Sequence, residues 1–247
     1  MGFTDLRRAG FDTETTGSDP DEARIVTAAL VVRGAGLPDA DFTWLINPGI
    51  DIPTEASDIH GITTEIAKAQ GQDPKTALDD IASKLAAALR ARMPIAAFNL
   101  GFDWTVLDRD LARHGLPSMA ERLHPIEPVT LLDPHVIDKA LDKWRKGERK
   151  LKPTCELYEV ELTDWHTADA DALAALLLTD KLFERYPRLA RMTPAALFNA
   201  QKEWRREWAE GFQAYLRSEK AGEKRDPEAV ISGEWPLRPS PLIAAPT

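Results

Sequence analysis

The 247-residue chain is 43% hydrophobic with a formal charge of −9. It can bury a core as one large domain or one domain plus an appendage, and it is too acidic to coat nucleic acid through a broadly basic surface. A single cysteine, Cys155, excludes an intrachain disulfide and a multi-cysteine zinc site. No apolar run reaches membrane-span length, and residues 1–10 lack the apolar stretch of a signal peptide. The expectation is a soluble cytoplasmic protein.

The first strand is expected over Leu6 to Glu14, ending in Phe11-Asp12-Thr13-Glu14-Thr15-Thr16-Gly17. Strand periodicity puts Asp12 and Glu14 on one face, where two like charges persist most readily around a cation or with one proton retained. Taken alone, the pair also reads as a polar strand end entering a loop. Ile25 to Val32 is nearly continuous in apolar character and predicts a central strand. Asp41 to Ile46 returns as a third strand, completing a meander. Ile52 to Thr63, which contains His60, reads as an irregular connector. Pro74 opens an amphipathic helix carrying Leu78, Ile81, Leu85 and Leu89 at helical spacing.

Ile95 to Phe98 predicts a short buried strand. Asn99 is placed to cap the next helix, which puts Asp103 in its first turn. Such strand-to-helix junctions favour functional sites in α/β sheets, although an acidic residue there also complements the helix dipole. Val129 to Leu132 predicts a fifth strand, and Asp133-Pro134 starts a helix. Lys143 to Lys152 follows with six Lys or Arg and one Glu around Trp144. Thr167 is placed to cap a long helix ending near Tyr186-Pro187. His166 and Asp171 are five apart and share no face of one helix; with His166 on the preceding loop they could converge. Thr193-Pro194 opens a last helix with an aromatic stripe, Trp204, Trp208, Phe212 and Tyr215, before a Pro-rich tail that either wraps the domain or is mobile. Three strands, a helix, two more strands and alternating helices predict an α/β fold with a mixed sheet.

In this order, the segments 11–17, 97–103 (Ala-Phe-Asn-Leu-Gly-Phe-Asp) and 166–172 (His-Thr-Ala-Asp-Ala-Asp-Ala) resemble the DEDDh 3′–5′ exonucleases. This is the DnaQ-like family that includes the proofreading epsilon subunit of bacterial DNA polymerase III. Residues 59–63 and Leu131-Leu132-Asp133 also look like family connectors. The resemblance implies an RNase H-like fold with a five-stranded mixed sheet flanked by helices over residues 1–190, with 191–247 as a C-terminal helix and tail.

It implies that Asp12, Glu14, Asp103 and Asp171 hold two divalent ions, Mg²⁺ or Mn²⁺, and that His166 is the general base. It further implies that Thr15, His60 and Phe102 contact the terminal nucleotide. The implied reaction releases nucleoside 5′-monophosphates from a DNA 3′ end, single-stranded DNA favoured, in proofreading or repair; the aromatic stripe of the last helix, if exposed, is the candidate contact for a polymerase or a second copy. RNA or short oligonucleotides as substrate, and a non-catalytic scaffold, stay open as alternatives. A calcium-binding structural domain has no compact loop with alternating ligands to support it.

The basic run with Trp144 reads as an upstream strand contact or a solvated loop. The aromatic stripe reads as a docking face against its own domain, or as a partner site if exposed. His114, His124 and His135 read as helix-end or loop residues without a role. An acidic body with one basic stretch predicts salt-sensitive binding and distributive digestion.

Overall fold

The computed structural model describes residues 5–126, 129–161 and 167–239. Three antiparallel strands come first: β1 (Arg8–Thr15), β2 (Ile25–Arg33) and β3 (Ala40–Leu45). Two short strands, β4 (Ile95–Ala96) and β5 (Leu131–Leu132), then add in parallel beside β1, giving the order β3-β2-β1-β4-β5.

Both faces of this mixed sheet are covered, so β2 reads as a continuous apolar run. Ala28, Leu30 and Val32 join one cluster with helices α3 (Pro74–Arg90) and α4 (Leu100–Arg113), where Leu78, Ile81, Leu85, Leu107 and Leu111 are fully buried. Ala29 and Val31 join a second cluster with α8 (Ala168–Arg185) through Ala172 and Leu176.

Several local expectations change. The connector before Thr63 holds a helix, α1 (Thr54–His60), followed by α2 (Thr64–Gln70). No residue of α1 is buried, so it lacks the apolar periodicity that would reveal it. Asn99 occupies the N-cap of α4 in the left-handed region (φ 63°), and its side chain makes no cap bond. Its amide instead donates to Asp133 Oδ1 (3.0 Å). Thr167 likewise stands at the N-cap of α8 without a side-chain cap bond.

The basic run is split: Lys143, Trp144, Lys146 and Lys150 are exposed, whereas two of its arginines are not solvated. After α5 (Met119–Leu123) and α6 (Pro134–Leu141), Arg145 and Arg149 both turn inward onto Asp138, whose side chain is fully buried and also accepts from the Tyr158 hydroxyl. Short α7 (Leu151–Leu157) closes that loop. The last helix, α9 (Pro194–Arg217), crosses the outer edge of β5, and the tail packs back through Trp235. Among the described residues, no helix is long and apolar enough to cross a membrane.

Candidate active site

The site forms where β1 outruns its neighbour. β4 pairs with β1 only at Ala9 and Gly10, and the chain then turns into α4. Beyond that point, the Thr13 amide has no strand carbonyl to meet. It donates to Asp103 Oδ1 (3.1 Å), and the Thr13 hydroxyl donates to the same oxygen (2.6 Å). Asp103 therefore takes the place of a missing strand residue at a crevice outside the sheet's carboxyl end.

On the other face of β1, α8 approaches unusually closely. A Cβ on Gly10 would lie 2.0 Å from the Ala172 carbonyl oxygen, so only glycine fits. This contact sets Asp171, the neighbour of Ala172, beside Asp12 and Glu14. The three partly buried carboxylates each offer an oxygen, and these oxygens lie within 4.8 Å of one another. The electrostatics reflect the crowding. Asp12 is raised well above the ordinary carboxylate range by burial first, then by the charges of Asp103, Asp171 and Glu14. Glu14 is pushed up to about 7 by burial, with Asp171 and Asp103 adding to it. Burial also pushes Asp103 up to about 7, against the lowering pull of the Thr13 hydroxyl. An all-oxygen, mutually repelling donor set fits a hard divalent cation and fits zinc poorly.

Asp12, Glu14 and Asp171 thus come together, with Asp103 at the adjoining helix start. His166 lies outside the described residues. His60, at the end of α1, lines a cleft of about 350 Å³ with Glu14, Thr167 and Asp169. Burial lowers its pKa, partly opposed by the Thr15 backbone. Thr15 is buried and its hydroxyl donates to the Gly17 carbonyl (2.7 Å). Phe102 faces a different cavity, beside Asn99, His135 and Trp235.

Three residues were not anticipated in these roles. Gly10 was detectable as a glycine inside a strand. Asp133, detectable as an Asp before the first-turn Pro134, accepts from the amides of Asn99, His135 and Val136 and so fixes the turn that aims Asp103. His135 carried no sequence signal beyond its position. Its ring lies 5.0 Å from that of Phe98, and burial pushes it down to about 3.

A mixed sheet with carboxylates gathered at the end of its first strand defines an RNase H-like nuclease fold. Residues 9–179 match the exonuclease family RNase_T, and the chain belongs to that family, as its DnaQ-like motifs imply. It is similar to DNA polymerase III subunit epsilon of Rickettsia prowazekii, 43% identical over 68 residues, which are 27% of this chain and 30% of that protein. A DNA polymerase III subunit epsilon-like protein of Rhodobacter capsulatus is 43% identical over 56 residues, 22% of this chain and 8% of that protein. Among solved structures, E. coli Exonuclease I in complex with a dT13 oligonucleotide superposes with a TM-score of 0.62 at 20% identity, over 74% of this chain and 42% of that one. The chain thus spans less than a third of these curated relatives, and the structural likeness carries the fold.

Proposed function

We propose that the chain is a metal-dependent 3′–5′ exonuclease acting on DNA. What carries the reading is the convergence of Asp12, Glu14 and Asp171 oxygens within 4.8 Å, beside Asp103, in a chain of the exonuclease family. The four carboxylates would hold two divalent ions, Mg²⁺ or Mn²⁺. When bound, such ions lower the pKa of water and stabilise the leaving oxygen.

The chain's own groups supply the rest. His166, an imidazole and so of the side-chain type best suited to general-base work at neutral pH, takes the proton from the attacking water. The water oxygen bonds to phosphorus as the bond to the 3′ oxygen breaks; that oxygen takes a proton from solvent, leaving a nucleoside 5′-monophosphate and a chain with a new 3′ hydroxyl. His60, in the cleft beside Glu14, meets the terminal nucleotide from one side; Thr15, whose hydroxyl is turned to the Gly17 carbonyl, and Phe102, which faces the neighbouring cavity, would reach it only through backbone or ring-edge contact. The same reading places the chain in the cytoplasm, in proofreading or repair, with a polymerase or a second copy as partner. It draws on the similarity to proteins named as polymerase III epsilon subunits.

The test is digestion of a 5′-labelled single-stranded DNA oligonucleotide with Mg²⁺ or Mn²⁺, with its RNA counterpart alongside. A ladder shortening from the 3′ end, abolished by EDTA and by Asp103→Ala, is expected. Intact DNA from folded protein with either metal would overturn the DNA reading. Cleavage confined to RNA would move the same chemistry to that substrate.

A further inference from the structure

Phe102, the residue before Asp103, opens onto a cavity of about 20 Å³ walled by His135, Lys139, Trp204 and Trp208. Three of these, Lys139, Trp204 and Trp208, also line a groove of about 440 Å³ between α6, the loop after it and α9. Through these three shared residues the groove adjoins the cavity that Phe102 lines in the first turn of α4, and it opens to the surface.

Its walls combine cations with flat rings. Lys139 Nζ lies 3.8 Å from the centre of the Trp208 ring, and the Arg205 guanidinium carbon 4.7 Å. Lys143 Nζ lies 5.5 Å from the Trp144 ring centre. Along α9, the rings of Trp208, Phe212 and Tyr215 stack in series, with centroids 5.2 and 6.4 Å apart and planes 18° and 19° from parallel. Trp144 is 86% exposed, so folding of this domain does not use its ring.

The charge is equally one-sided. Among the described residues, Lys139, Lys143, Lys146 and Arg205 form no ion pair, because the nearby buried carboxylate of Asp138 is already taken by Arg145 and Arg149. Glu207 is the one acidic residue lining the groove among those described. Burial and the charge of Arg205 push Lys139 down to about 8, which reflects how closely the cations crowd. On a chain of net charge −9, this is a local excess of positive charge waiting for an anion.

Building on the exonuclease reading, we propose that this groove seats the single-stranded nucleic acid upstream of the 3′ end. Lys139 and Lys143 meet its phosphates, Trp144 and the exposed part of Phe212 stack on its bases, and Trp208, already covered by Lys139, Arg205 and Phe212, forms the floor. Repeated anions spaced between planar bases match unpaired cations interleaved with rings, whereas an apolar protein face would leave those cations buried and uncompensated. Stacking of this kind tolerates any base sequence, and phosphate contacts make it salt-sensitive.

The test compares binding of a fluorescein-labelled thymidine 20-mer and a 3-mer to the full chain by anisotropy, with EDTA present to prevent cleavage. The 20-mer is expected to bind at least about tenfold more tightly than the 3-mer. Lys143→Glu combined with Trp144→Ala should remove most of that gain with an unchanged thermal midpoint, because both side chains are exposed, and Phe212→Ala should remove part of it. Equal affinity for the two lengths, or full 20-mer affinity in the double variant, would overturn the groove. A dimer in sedimentation that the double variant dissolves, without any length-dependent binding, would give the groove to a second copy instead. Hydrolysis of the p-nitrophenyl ester of thymidine 5′-monophosphate with Mn²⁺ by the unaltered chain probes the carboxylate site alone. Its failure would count against the exonuclease reading, whatever the groove binds.

Discussion

Asp12 stands among Asp103, Asp171 and Glu14, and each neighbouring charge adds to burial in keeping its proton on. Glu14 and Asp103 move from ordinary values of 4.5 and 3.8 to about 7. A carboxyl group whose pKa is higher folded than unfolded stabilises the fold below its unfolded value. That contribution is lost as pH rises through the folded value. For these two residues the window runs from about 4 to 7, so the metal-free chain should lose stability across about pH 4 to pH 7 and level off above it. A divalent ion competes with the same protons, and it stabilises the fold by mass action once they have left. Thermal unfolding with EDTA should therefore show a falling midpoint across that range. Added Mn²⁺ should raise the midpoint by several degrees more at about pH 8 than at about pH 5.5. Equal shifts at the two pH values, or none at the higher one, would remove the metal from this cluster.

β1 and α8 meet along their length and in opposite directions. Arg8 bonds Asp180 at one end through two nitrogens, one of them Nε at 2.8 Å, Gly10 touches Ala172 in the middle, and Asp12 and Glu14 meet Asp171 at the other end. Four residues of strand and nine of helix each cover about 13 Å, so the buried ion pair sets the register that aligns the carboxylates. Asp180→Ala removes the carboxylate that two nitrogens of the buried Arg8 guanidinium share and should cost about 3 kcal/mol. The urea unfolding midpoint reads this directly, and a loss below about 1 kcal/mol would show that the pair does not hold the register. Much of this element pairing was legible in the chain. The alternation of Asp12 and Glu14, the unbroken apolar run of β2 and the helical spacing of α3 each declare a buried face. Helix α1 was not legible because it buries nothing. The Arg145 and Arg149 contacts were not legible either, since their partner Asp138 becomes buried only when α6 docks. The left-handed Asn99 has the same origin, because the group that holds its amide, Asp133, is 34 residues away.

At the scale of the whole molecule, the family match ends at residue 179, yet hydrogen bonds tie the chain beyond it into the sheet. A strand at the edge of a sheet presents unpaired amides and carbonyls. Here α9 covers that edge with one fully buried side chain, Gln201. Its Oε1 accepts the Asp133 amide (2.7 Å), and its Nε2 donates to the Leu131 carbonyl (2.9 Å), much as a sixth strand would. Farther on, the Trp235 indole donates to Asp133 Oδ2 (3.3 Å), and Arg109 Nη2 donates to the carbonyls of Arg238 and Pro239. The same carboxylate that orients the Asn99 turn is thus gripped from the extension, which links residues 201 and 235 to the placement of Asp103. Gln201→Leu keeps the bulk of the side chain but leaves a buried amide and carbonyl without partners. The expected loss is about 2–6 kcal/mol, at about 1–3 kcal/mol for each of the two unsatisfied groups. Hydrogen exchange should locate the damage, with protection of the Asp133 amide falling more than that of β2 amides in the sheet centre. If the Asp133 amide stayed protected and stability moved by less than about 0.5 kcal/mol, α9 would be a separable appendage, and removing residues 191–247 should then leave a folded nuclease domain.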